Sequence, residues 1–171
     1  ATLNASPTQV RFKEFDYGIY EFVDRTTEPD VFVLDVGHND DLHVRRIHAK
    51  QSDHNDVSYR WTRGYSYISV IGTRSDARTI TIRMSSGGRP SQMGLPHVRL
   101  KLNDRDIGEF AVSDGFQDYT VTIPEDVAQT VASRDEASIL VLESDVWFPS
   151  EALGVSDKRD LGVMLDRVEI R

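Results

Sequence analysis

Apolar and polar residues alternate with a period of two along much of the chain. Thr79-Ile80-Thr81-Ile82-Arg83-Met84 alternates strictly, as do His97-Val98-Arg99-Leu100-Lys101-Leu102 and Tyr119-Thr120-Val121-Thr122-Ile123. On a strand that period sends alternate side chains to one face. The closing stretch from Val163 to Ile170 reads as a strand with one shift of phase. Further strands are predicted at 10–15, 19–23, 31–36, 42–48, 57–61, 66–71, 107–112 and 138–143. Turn chemistry separates them, at 27–30, at Gly37-His38-Asn39-Asp40, at 85–90, at Asn103-Asp104-Arg105-Asp106 and at Ser113-Asp114-Gly115. Only 124–132 reads as a helix, with Pro124 at its start and Glu125 and Asp126 in its first turn. Many short strands with frequent turns predict an all-β fold. The expected form is a two-sheet β-sandwich of the jelly-roll kind with at most one short helix.

Composition agrees. Eighteen valines, ten isoleucines and eleven threonines outweigh eleven leucines and nine alanines, a balance that favours strands. The 171 residues suit one domain spanning 1–171, with 1–9 as a loosely ordered lead-in. The formal charge of −8 speaks against nucleic-acid binding and against a polybasic membrane-surface module. There is no cysteine, which removes disulfides, thiol nucleophiles and thiolate metal sites and leaves the redox compartment open. The longest apolar runs, 31–34 and 139–142, are far too short for a membrane span. The chain opens at Ala1 without an initiator Met or a leader pattern. Trimming at the start and excision from a longer or secreted chain are both open.

Motifs of catalysis are mostly missing. The sequence holds no GxSxG, HExxH, P-loop or GxGxxG pattern. Gly87-Gly88-Arg89-Pro90 lacks the Lys-Ser/Thr of a phosphate loop and reads as a hairpin loop. Asp104 to Glu109 lacks the ligand periodicity of a calcium loop and reads as a β-turn. The segment 38–56 holds His38, His43, His48 and His54 among Asp40, Asp41, Asp53 and Asp56. Imidazoles with carboxylates suit a divalent metal in kind, but the spacing fits no standard site. A solvated edge strand with its loops explains the composition equally well. No nucleophile–base constellation stands out, so an enzyme is not expected.

The aromatic residues carry more information. Strand alternation puts Tyr59, Trp61 and Arg63 on one face and Arg60 and Thr62 on the other. Trp147 and Phe148 precede Pro149. A flat ring can stack on the apolar face of a pyranose while nearby Arg and Asp side chains take its hydroxyls. Core positions are the favoured reading for both tryptophans, since Trp is usually well buried. Tyr65 and Tyr67, beside Gly64, are expected to be partly exposed.

From Tyr59-Arg60-Trp61-Thr62 onward the chain resembles a known kind of domain. The supporting pieces are Gly88-Arg89-Pro90, Pro96 to Asn103, Tyr119 to Pro124 and, most specifically, Leu140 to Ser144 with Phe148-Pro149 and Gly154 to Asp166. The pattern, over roughly 12–171, is similar to the extracytoplasmic domain of bacterial lipid-linked-sugar glycosyltransferase-like membrane proteins. Such domains are similar in turn to the galactose-binding-like jelly roll of carbohydrate-binding modules. The chain departs from the pattern at 41–48, which Asp41, His43, Arg45 and Arg46 make more charged. The resemblance implies a jelly roll, a carbohydrate partner, a setting outside the cytoplasm and a parent membrane glycosyltransferase. It supplies no catalytic residue.

Within 156–166, Ser156-Asp157 can turn the chain, and Gly162 opens the last strand where close backbone approach is expected. Asp166 lies among apolar residues and needs a partner. Arg60 is the expected one, in an internal ion pair. The competing arrangement gives Asp166, with Asp16 or Glu21, to a structural calcium, although two side-chain ligands are few for that ion. The candidate ligand-binding set is Arg60, Trp61, Tyr65, Asp157, Arg159 and Asp160, with no catalytic residue and no resident cofactor. The expected function is a non-catalytic, carbohydrate-binding accessory domain. A structural or protein-interaction domain is the first alternative and a small glycan-active hydrolase the second.

Overall fold

The computed structural model describes residues 31–70, 77–132 and 137–171. The predicted strands at 10–15 and 19–23, the lead-in 1–9, and Asp16 and Glu21 lie outside the described residues. Nine strands are described: β1 (Phe32–Asp35), β2 (Val44–Ser52), β3 (Ser58–Val70), β4 (Thr79–Ser85), β5 (His97–Leu102), β6 (Arg105–Ala111), β7 (Gln117–Thr122), β8 (Ser138–Ser144) and β9 (Met164–Ile170). The predicted helix is α1 (Glu125–Ala132), and a single further turn, α2 (Pro149–Ala152), follows Phe148. Pro149 supplies the preset φ that starts a helix at its first position.

Every pairing is antiparallel, in the order β6-β5-β8-β3-β9-β4-β7, with β1 on β9 and β2 on β3. β3 joins two layers. Its first part pairs with β9 through Arg60 and Trp61, and its second part, Tyr65 to Val70, pairs with β8. β2 follows β3 around this corner through two register shifts, with Arg46 at φ +52°. Extra residues on one strand of a pair bend it. The first layer is therefore β7-β4-β9 with β1 and the start of β3. The second is β6-β5-β8 with the rest of β3 and of β2.

Alternation fills the space between the layers. Leu100, Leu102, Leu140, Leu142, Ile68 and Val70 from the second layer belong to one core with Ile80, Ile82, Met84, Leu165, Val168 and Ile170 from the first. At the far end β6 approaches β7. Gly108 lies against Val121, and the Phe110 and Tyr119 rings sit 5.4 Å apart. The sandwich is thus nearly closed into a barrel. The phase shift in the last strand is a bulge: Arg83 opposes Arg167 while Met84 opposes Leu165, leaving Asp166 unpaired between them. A second small core lies elsewhere on β3 and β9, where Trp61, Trp147 and Leu161 pack with Tyr59, Ala152 and Met164. Trp147 and Leu161 exchange two backbone hydrogen bonds of 2.9 Å, which ties the 147–161 connection down.

Candidate functional site

Strand parity that buries Leu100 and Leu142 turns their neighbours out to solvent. Arg99, Glu143 and Tyr65 lie directly opposite one another across β5, β8 and β3. The next row is Lys101, Val141, Tyr67 and Arg45. Directly opposed residues share a face. The outer surface of the second layer therefore presents aromatic and charged groups side by side.

Tyr65 is 44% exposed, and its hydroxyl donates to Glu143 Oε1 at 3.0 Å. Lys101 Nζ lies 3.2 Å from Glu143 Oε2 and Arg99 Nη2 3.4 Å from Glu109 Oε2. The His97 backbone N–H donates to Asp145 Oδ2 at 3.0 Å. Tyr65, Glu143, Arg99, Glu109, His97 and Asp145, with Gly64 and Ser144, line a cavity of about 270 Å³. The hydrogen bonds from Tyr65 and Lys101 hold Glu143 below the usual carboxylate range. The same bond and the Glu143 charge push the Tyr65 phenol up. Beside it, a larger cavity of about 550 Å³ is lined by Arg45, Arg46, Tyr67, Ser69, Asn103 and Asp104, with Ile139 and Val141.

The other sequence candidates fall elsewhere. Arg60 is buried, and its partner is Asp40 rather than Asp166. Arg60 Nε and Nη2 donate to Asp40 Oδ2 and Oδ1 at 2.7 Å each, and Nη2 also to Asp41 Oδ1 at 2.5 Å. Burial raises the Asp40 pKa, but the Arg60 hydrogen bonds and charge, with the Gly37 N–H, leave it lowered. Asp166 is ion-paired instead with Arg83, whose Nε lies 2.7 Å from Oδ2. The register explains the change. Arg60 opposes Leu165, so the neighbouring residue on β9 projects away from it. Burial and the nearby Asp35 charge raise the Asp166 pKa, against Arg83. The guanidinium beside Asp166 would repel a cation, and no group of three or more potential metal ligands occurs among the described residues.

Trp61 and Trp147 do not form an open stacking platform. They are buried edge to face, ring centroids 6.3 Å apart, beneath the 147–161 connection. Asp157, Arg159 and Asp160 are engaged in structural pairs. Arg159 grips Asp157 with bonds of 2.6 to 3.0 Å, which lower Asp157 to about 2. Asp160 is half-buried and paired with Arg63 Nε at 3.0 Å. The His48 ring reaches the Asp160 carbonyl at 2.8 Å, and the His48 carbonyl accepts from Arg60 at 3.3 Å. Arg60 and Asp160 are therefore close through His48, as a brace across β2 and β3 and not as an open site.

The histidine-rich segment serves turns and strand edges. His43 Nδ1 lies 2.9 Å from the Ser69 carbonyl, and Asp53 accepts from the N–H groups of Asn55 and Val57. Of the candidate set, Tyr65 lines one of the cavities described above. Glu143, Arg99, His97 and Asp145 share that cavity with it. The signal for Arg99 and Lys101 was already in the alternation of 97–102; the signal for Glu143 required the pairing of β8 with β3.

The sequence matches no protein-family model and no curated protein. Solved structures similar to this chain include a family 35 carbohydrate binding module from Clostridium thermocellum, at 8% identity and TM-score 0.48, covering 81% of this chain and 97% of that one. A Podospora anserina GH26-CBM35 beta-(1,4)-mannanase matches at 9% identity and TM-score 0.41, over 82% of this chain and 27% of that one. An acetyl xylan esterase from the rumen bacterium Butyrivibrio proteoclasticus matches at 8% identity and TM-score 0.44, over 84% of this chain and 34% of that one. The chain thus spans about a third or less of the two enzymes.

Proposed function

We propose that this chain is a non-catalytic accessory domain that holds carbohydrate on the outer face of its second layer. The observation that carries the reading is the Tyr65 ring, half exposed and fixed through its hydroxyl by Glu143, inside a polar cavity that also offers Arg99, His97 and Asp145. A sugar ring combines apolar C–H faces with hydroxyls that donate and accept. An aromatic surface bordered by both charge signs answers that combination. Tyr65 and Lys101 hold the Glu143 carboxylate in its anionic form, so Glu143 is not the raised-pKa general acid a glycosidase needs. The setting outside the cytoplasm, beside a membrane-embedded lipid-linked-sugar glycosyltransferase, rests on the resemblance of 140–170. Among the described residues no helix is long and apolar enough to cross a membrane.

One observation favours a protein-interaction domain as the second reading. Met93, Leu95, Phe148, Leu153 and Val155 are exposed apolar residues, and Met93 and Phe148 border a cavity of about 380 Å³ with Gln92 and Glu151. Amide-resolved NMR titration separates the two. Neutral hexoses and oligosaccharides should move the signals of Gly64, Tyr65, Arg99 and Glu143, with dissociation constants of about 0.1–1 mM. Silence there across pentoses, hexoses and bacterial glycans would transfer the assignment to the apolar patch.

A further inference from the structure

We infer that Arg45 and Arg46 form an oxyanion site, so that the glycan on this face carries a negative group: a carboxylate, sulfate or phosphate. The sugar half of this inference rests on the carbohydrate reading above; the anion half has its own geometry. Arg45 and Arg46 both line the cavity of about 550 Å³ that contains Tyr67, one cross-strand row from Tyr65. Arg45 Nη1 donates to the backbone carbonyls of Val44 at 2.8 Å and Asp41 at 3.1 Å, which fixes the group without neutralising it. Among the described residues the Arg46 side chain has no hydrogen bond or ion pair, while its carbonyl accepts from Ser66 at 3.0 Å. Arg60, Arg63, Arg99 and Arg159, by contrast, each face a carboxylate. In a chain of formal charge −8, two adjacent arginines without carboxylate partners are conspicuous.

The bulge is what brings them to one cavity. Consecutive strand residues normally point to opposite faces. Arg46 has φ +52° at the register shift between Arg45 and Ile47, so the alternation breaks there. Guanidinium forks match planar and tetrahedral oxyanions with paired N–H bonds. Ser69 adds a hydroxyl to the lining, the Asn103 amide there is engaged by Ser138 and Ile139, and Asp104 in the same lining opposes an anion. Lys101 stands in the same cross-strand row but is engaged by Glu143. Tyr67 and Tyr65 project from the same strand face about 7 Å apart. One oligosaccharide can therefore lie on both rings with its anionic group at Arg45 and Arg46.

The test is an NMR titration with glucose, glucuronate, glucose 6-sulfate, glucose 6-phosphate and inorganic phosphate alone. It compares the native chain with Arg46→Asn, which tolerates the left-handed backbone, and with Asp104→Asn. The charged sugars should bind more tightly than glucose, move the signals of Arg45, Arg46 and Ser69, and lose affinity as salt rises. Arg46→Asn should weaken them roughly tenfold, and Asp104→Asn should tighten them roughly threefold. The strongest of the three names the anionic group. Glucose binding as tightly as the charged sugars, or charged-sugar affinity unchanged in both variants, overturns the oxyanion site and leaves the carbohydrate reading intact. Phosphate moving Arg45 and Arg46 while no sugar moves Tyr65 supports the anion site and removes the carbohydrate reading. No response to any probe overturns both.

Discussion

A guanidinium as enclosed as that of Arg60, 8% exposed, keeps its charge only while carboxylates stay beside it. Asp40→Ala removes the buried partner, and breaking a buried pair costs about 3–5 kcal/mol. Asp41 is 80% exposed, so Asp41→Ala should cost no more than about 1 kcal/mol. Urea unfolding of the two variants checks this, and equal losses would show that the buried pair is not special. The aspartates also set a pH dependence. Asp40, Asp157 and Asp160 have lowered pKa values in the fold, so the stability they contribute is complete above the unfolded value near 4 and lost as pH falls, for Asp157 down to about 2. Asp166 has the opposite sign. Its raised pKa means that the contribution is present below the unfolded value and declines as pH rises through the folded one. Thermal melts from pH 2 to 7 should therefore show an acid-side loss in the native chain, and Asp166→Asn should make that rise with pH steeper. That Arg60 and Asp166 would each be paired was legible from charge among apolar neighbours. Their partners were not, because Asp40 reaches Arg60 only through a turn at Gly37, φ +90°, whose N–H bonds Asp40 Oδ2 at 2.8 Å.

Strands were the most legible elements, since alternation needs only local information. The sequence suggests two strands at 57–61 and 66–71, and the molecule has one, Ser58–Val70, bent at the corner between the layers. The bend depends on partners far away in sequence. Arg63 N–H bonds Ser66 Oγ at 3.0 Å, Gly162 N–H bonds the Thr62 carbonyl at 2.8 Å, and Val163 N–H bonds Thr62 Oγ1 at 2.9 Å. The close approach expected at Gly162 is present. A Cβ there would stand 2.3 Å from Thr62 Oγ1 and 3.0 Å from Ser144 Cβ. Gly162→Ala must push β9 away from β3 and should cost about 1–3 kcal/mol, the usual penalty of overpacking. Hydrogen exchange gives the sharper readout. The Thr62 and Val163 amides should lose protection first, whereas uniform loss across both layers would contradict a local seam. The single turn at Pro149–Ala152 escaped prediction because four residues carry too little helical periodicity.

At the scale of the whole molecule, the question is how a shallow face can do useful work. One ring and a few solvent-facing hydrogen bonds give only about 4–5 kcal/mol, hence about 0.1–1 mM. The first prediction is local. Tyr65→Phe keeps the ring and loses the bond to Glu143, so it should retain most of the affinity, while Tyr65→Ala should weaken binding about tenfold or more by calorimetry. Equal affinities in the two variants would mean that the ring is not the sugar platform. The second prediction follows from the weakness itself. A domain that positions a polymer gains from being tethered, because the second contact becomes intramolecular at millimolar effective concentration. Two copies joined by a flexible linker should therefore bind a polysaccharide at least about 10²-fold more tightly than one copy, with no change for a monosaccharide. A role in closing on a single small ligand predicts the reverse, a monosaccharide affinity that already equals that of the polymer. Surface-immobilised polysaccharide, measured against soluble monosaccharide with one and two copies, distinguishes the outcomes. An unchanged polymer affinity in the linked pair would remove the positioning role even if the Tyr65 site binds sugar.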